Sequence, residues 1–172
     1  MFLLGERWRR LESIFCGKRM EVTSEIALGP LTGKAGKPES TVLIRGHKTQ
    51  TTVRGHVLEV AIRCGSDWLL FTSDDVPYEE GLSIYLLDSR GVILDSAHLV
   101  QPYGTGIFSD VRLQPPNQVK FNFNFNGRVA WRVVVHSRAK LAIPWLPDQY
   151  GVWRSRRCLR RLSVHSLKIS AA

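Results

Sequence analysis

The chain has 172 residues, 44% of them hydrophobic, which is enough for one domain to bury a core without disulfide or metal staples. No window approaches the ~18 consecutive apolar residues of a membrane span, and Met1-Phe2-Leu3-Leu4 gives way to Gly5-Glu6-Arg7 too early for a secretory apolar core. Cys16, Cys64 and Cys158 are odd in number and widely spaced, so reduced thiols in a soluble cytoplasmic protein are expected rather than a disulfide framework.

Residues 3–16 carry Leu4, Trp8, Leu11 and Phe15 at spacings of four, three and four, the pattern of a short amphipathic helix that Gly17 would stop. Residues 1–19 are therefore expected to form an N-terminal helix or extension, dispensable for folding, before a single domain over residues 20–172. From Met20 the period changes to two, with Met20, Val22, Ile26 and Leu28 on one face of a strand that Gly29-Pro30 should end. Residues 30–40 read as a loop. Further strands are expected over Thr41–Arg45, Val53–Cys64 and Trp68–Thr72.

Leu82–Leu87 and Val92–Leu94 flank Asp88-Ser89-Arg90-Gly91, a hairpin signature in which Gly91 supplies the positive φ of a bulged type I connection. Over Val119–Val135, Phe121, Phe123 and Phe125 alternate with asparagines, and Val129, Trp131, Val133 and Val135 alternate on the return. An odd-length loop, pairing Phe123 with Trp131 and Phe121 with Val133, puts all of these on one buried face; a two-residue Asn126-Gly127 turn does not. After Lys140 comes an irregular aromatic stretch with Trp145, Tyr150 and Trp153, then a strand over Leu162–Ile169. Eight to ten short strands with frequent turn signals predict an antiparallel β-sandwich, with a β-barrel as the alternative.

Motifs for chemistry are sparse. Gly29–Lys34 imitates a phosphate loop but is one residue short, has Ala35 where a magnesium-holding Ser/Thr belongs, and is followed by strand-forming residues. The repeated Arg45-Gly46-His47 and Arg54-Gly55-His56 could bracket a hairpin and bring His47 to His56, and Glu59, Asp95 and His98 are further candidate ligands. None has short metal-ligand spacing, so no metal or cofactor is expected. Asp74, Asp75, Glu79 and Glu80 lack the spacing of a calcium loop, and no Gly-x-Ser-x-Gly elbow is present.

Charge is the stronger signal. The formal net charge of +9 divides into about +5 over residues 1–54, −3 over residues 55–135 and +7 over residues 136–172. Arg154, Arg156, Arg157, Arg160 and Arg161 stand close together beside Trp153, and Asp148 is the one acid near them in sequence. Guanidinium groups take phosphates bidentately and an indole can stack on a base. The leading expectation is thus a non-enzymatic interaction module that engages an anionic partner, nucleic acid or an acidic protein surface, through this run. A small-ligand or carbohydrate-binding module using Trp145, Tyr150 and Trp153 is the alternative, and an enzyme without a readable motif the third reading.

Overall fold

The computed structural model describes residues 19–32, 38–75, 81–100, 106–123, 130–143, 151–154 and 158–167. These form thirteen strands: β1 (Met20–Val22), β2 (Ile26–Leu31), β3 (Glu39–Ile44), β4 (His47–Arg54), β5 (Val57–Cys64), β6 (Asp67–Ser73), β7 (Leu82–Leu87), β8 (Ile93–Leu99), β9 (Phe108–Gln114), β10 (Gln118–Phe123), β11 (Ala130–Leu141), β12 (Val152–Arg154) and β13 (Leu159–Leu167). The described residues contain no helix, and the amphipathic segment of residues 1–18 lies outside them.

Every strand pairing is antiparallel. The strands make three sheets: six strands in the order β1-β5-β6-β7-β8-β12, four in the order β13-β11-β10-β9, and three in the order β2-β3-β4. No sheet closes on itself among the described residues, so the barrel alternative is set aside. The expected sandwich is the pairing of the six-stranded with the four-stranded sheet. Between them lie Leu69, Phe71, Ile84 and Leu86 from one side and Val119, Phe121, Phe123 and Trp131 from the other. Phe71 meets Phe121 edge-on with centroids 5.2 Å apart, and Phe108 sits against both, an arrangement that adds to simple area burial.

The third sheet departs from the expectation of two layers. Ile26, Val42 and Val53 pack on Trp68, Leu70, Tyr85 and Leu87, so the six-stranded sheet is covered on both faces. This explains why every residue of β6 and β7 is buried. Unbroken apolar stretches such as Trp68–Phe71 are the mark of a strand with two buried faces.

The strand expected to start at Met20 is two strands in two sheets. Met20 joins the main core, Ile26 joins the second core, and Val22 between them is 62% exposed. The chain leaves the middle sheet at Thr23–Glu25, which breaks the alternation. Pro30 does not end β2; it lies where the pairing with β3 slips between Leu28 and Leu31, an edge position where no ladder hydrogen bond is lost. The polar strand β4, reading His-Lys-Thr-Gln-Thr-Thr-Val-Arg, is the opposite edge.

The hairpin at Asp88–Gly91 forms as expected. Asp88 O accepts the Gly91 N–H at 2.9 Å, Asp88 Oδ1 accepts those of Arg90 and Val92, and Gly91 has φ +84°. These donors, outweighing partial burial, hold the Asp88 carboxyl below its ordinary range. In the phenylalanine hairpin the buried face is the expected one, but the partners are shifted by two: Phe121 pairs with Trp131 and Val119 with Val133. A two-residue slip keeps parity, so the same side chains stay inside. Residues 124–129, including Phe125, lie outside the described residues.

Candidate functional site

The arginine run sits on β12 and β13, and part of it is turned inward. Arg154 has a side chain only 3% exposed, with its guanidinium 3.5 Å from Asp95 Oδ2 and donating to the carbonyl oxygens of Ser96 and Leu162. Asp95 is itself buried, and its carboxylate also accepts the N–H groups of Arg161 and Leu162 at 2.7 Å and of Ser96 at 2.8 Å. Arg161 donates through Nη2 to Asp67 Oδ2 at 3.0 Å and through Nε to His136 O. Arg160 is 7% exposed. The expectation that the run finds little internal neutralisation, Asp148 being the one acid near it in sequence, is corrected for Arg154 and Arg161: their partners Asp95 and Asp67 are distant in sequence, 66 and 94 residues from Arg161. Folding delivers the counter-charges. Arg156 and Arg157 lie outside the described residues, as do Trp145 and Tyr150.

A second cationic feature emerges only from the register of the four-stranded sheet. On β10, Lys120 stands between the core residues Val119 and Phe121, so its side chain leaves the opposite face. Lys120 is paired with Arg112 of β9 on one side and with Arg132 of β11 on the other, and Arg132 is paired with His165 of β13. Arg112 and His165 are exposed, Lys120 and Arg132 half-buried. Four basic side chains thus form one row across the outer face, about 14 Å from end to end at ~4.8 Å per strand.

The rows on either side of this ladder are uncharged where they pair. Gln114, Gln118, Val134 and Ser163 make one, and Ser109, Asn122, Ala130 and Leu167 the other. Asp110 is the nearby acid, and its carboxylate accepts from Asn122 Nδ2 at 2.6 Å. No member of the row is ion-paired among the described residues, and Arg132 Nε is buried without an acceptor. In the middle of β11, where its pairing with β13 slips after Val135, His136 contacts Ser163 Oγ through Nε2 at 2.8 Å. Its pKa is lowered by burial and then by the charge of Lys140.

Sequence reasoning missed this ladder because its members lie on four strands, separated in sequence by apolar and polar residues alike. The period-two pattern that assigns Phe121 inward already assigns Lys120 outward; the cross-strand partners are what one strand cannot supply.

The histidine expectation is corrected by geometry. Arg45-Gly46 forms the β3–β4 turn, and Arg54-Gly55-His56 the β4–β5 connection, so His47 and His56 stand at opposite ends of an extended β4. Gly55 is needed at its corner: it has φ +126° and lies so close to Thr72 that a Cβ would sit 2.6 Å from the Thr72 side chain. Glu59 accepts from Ser73 Oγ, His98 contacts Ser83 through Nδ1, and Asp95 faces the arginines. Among the described residues no three His, Cys, Asp or Glu side chains gather as a metal site. Cys64 is buried and Cys158 exposed, and no helix among the described residues is long and apolar enough to cross a membrane.

A shallow groove near the start of β1 is lined by Arg and Glu side chains, but these satisfy one another. Glu25 bridges Arg45 at 2.8 Å and Arg63 at 3.0 Å; the hydrogen bond from Arg45 is the main cause of its lowered pKa. No family model, curated protein or solved structure matches the chain.

Proposed function

We propose that the protein is a non-enzymatic interaction module that binds an anionic chain, nucleic acid in the first instance, across the outer face of its four-stranded sheet. The observation that carries this reading is the Arg112–Lys120–Arg132–His165 row. Like charges in directly opposed positions disfavour a sheet, and among the described residues no carboxylate forms an ion pair with Arg112, Lys120 or Arg132. A linear array of phosphates supplies the missing counter-charge at spacings comparable to the strand separation. Arg156 and Arg157, which lie outside the described residues, contribute two further positive charges to the chain.

Among the described residues the face offers cations and amides but no row of aromatic side chains, so binding should follow charge and be tolerant of base sequence. Fluorescence-anisotropy titrations of unrelated oligonucleotides at several salt concentrations test this. The triple replacement of Arg112, Lys120 and Arg132 by Ala should flatten the log–log salt slope by about two to three contacts' worth, at ~0.7 per contact on single strands and ~0.9 on duplex. Replacing Arg156 and Arg157 alone should flatten it less. Equal slopes for wild type and the triple variant would remove the sheet face from the account.

A further inference from the structure

A second cross-strand row lies on the middle sheet, on the face that the three-stranded sheet partly covers. Trp153 of β12 is paired with His98 of β8, His98 with Ser83 of β7, and Ser83 with Thr72 of β6. Val152 and Leu99, the core-facing neighbours of Trp153 and His98, belong to the main core, so Trp153 and His98 project from the other face. Along the row exposure rises from 0% at Thr72 and 2% at Ser83, through half-buried His98, to 68% at Trp153. The row is thus a polar floor ending in an open indole.

The polar groups are held in place. Ser83 Oγ lies 3.0 Å from His98 Nδ1, and the edge of Tyr85 meets the His98 ring with centroids 5.7 Å apart. The Tyr85 hydroxyl in turn accepts the Arg54 N–H at 2.9 Å. His98 Nε2 makes no hydrogen bond among the described residues, leaving one ring nitrogen unspent beside the indole. The charges around this ledge are matched: Arg54 is paired with buried Asp74, and Arg154 with Asp95. Burial, reinforced by Arg54, lowers the His98 pKa, which favours the neutral imidazole.

We propose that this ledge is a binding site for a neutral sugar ring, with the Trp153 indole as the stacking platform and His98 Nε2 as the hydrogen-bonding group for a ring hydroxyl. The C–H face of a pyranose suits an exposed indole, and its hydroxyls suit a fixed neutral imidazole. Among the described residues the two arginines beside the ledge already face carboxylates, so the ledge suits a neutral ligand better than an anion. The site lies on a different sheet from the basic ladder and stands independently of it.

The test uses the full chain and a panel of uncharged hexaoses (malto-, cello-, xylo-, manno- and chito-oligosaccharides), screened by saturation-transfer NMR and quantified by calorimetry. At least one oligosaccharide should bind. Trp153→Ala should weaken it about three- to tenfold, the range of an aromatic stacking contribution, and Trp153→Phe should weaken it less. His98→Gln, which keeps a hydrogen-bonding group, should retain more affinity than His98→Ala. Trp153 is exposed, so its variants should unfold as the wild type does, and circular dichroism checks that they are folded. Failure of all five sugars to bind the wild type overturns the proposal, as does binding that Trp153→Ala leaves unchanged.

Discussion

Replacing Asp95 by Ala removes a carboxylate on which two sheets converge. Asp95 belongs to β8 of the middle sheet, and its Oδ2 accepts the main-chain N–H groups of Arg161 and Leu162 in β13 of the four-stranded sheet. It is also the carboxylate partner of Arg154. In the variant the guanidinium keeps its carbonyl acceptors on Ser96 and Leu162 but loses its counter-charge in a site where the side chain is 3% exposed. Breaking one half of a buried pair costs about 3–5 kcal/mol, and orphaning buried N–H donors costs about 1–3 kcal/mol each when nothing replaces the acceptor. Because Arg154 retains two acceptors and a water can enter the space left by the carboxylate, the expected total lies at about 4–5 kcal/mol. That is a large fraction of the ~5–15 kcal/mol available to a domain. Equilibrium urea unfolding followed by tryptophan fluorescence measures it. Asp95→Asn, which keeps an acceptor but not the charge, should fall between wild type and Ala. A loss below about 1 kcal/mol for the Ala variant would show that β13 is held by its apolar residues alone.

Three shorter predictions concern other layers of the molecule. Phe123→Ala empties a fully buried position behind Trp131 and should lower unfolding stability by about 3–5 kcal/mol; a loss under about 1 kcal/mol in a denaturant melt would contradict the packing. His98 titrates below its ordinary value of 6.5 in the fold because burial disfavours its charged form. The unfolded chain then binds the extra proton first, so this contribution is fully present above about pH 6.5 and is lost as pH falls from there through the lowered folded value. Thermal melts from pH 8 to 5 should show the decline, and His98→Gln should reduce it; an unchanged slope in the variant would refute the assignment. Lys120→Gln should leave stability unchanged or raise it by about 0.2–1 kcal/mol, since it relieves repulsion within the basic row, while weakening oligonucleotide binding. A clear fall in stability would mean that Lys120 serves packing.

Much of the fold was legible in local pattern. The turn at Asp88–Gly91 could be read because its chemistry is contained in four residues, and the inward face of Phe121 and Phe123 because parity survives a two-residue slip in pairing. The third sheet was not legible in the same way. Its edge strand β4 is polar and the alternation of Ile26 and Leu28 in β2 is cut short at Gly29-Pro30; what announced it was the unbroken apolar runs Trp68–Phe71 of β6 and Ile84–Leu87 of β7. The candidate sites show the same division. The arginine cluster was visible as composition, but its counter-ions Asp95 and Asp67 are brought there only by the tertiary fold. The Arg112–Lys120–Arg132–His165 row and the Trp153–His98–Ser83 row exist only once strands are placed in register, which depends on turns and bulges such as the slip between Lys120 and Asn122.

Whether an anionic chain lies across the outer face of the four-stranded sheet is decided by backbone amide chemical-shift mapping of the isotope-labelled protein with a short single-stranded oligonucleotide. The largest shift changes should cluster at Arg112, Lys120, Arg132 and His165 and at Gln118 and Asn122 on either side of Lys120, and they should fade as salt is raised. Shift changes confined to other surfaces, with this face undisturbed at saturating oligonucleotide, would contradict that placement.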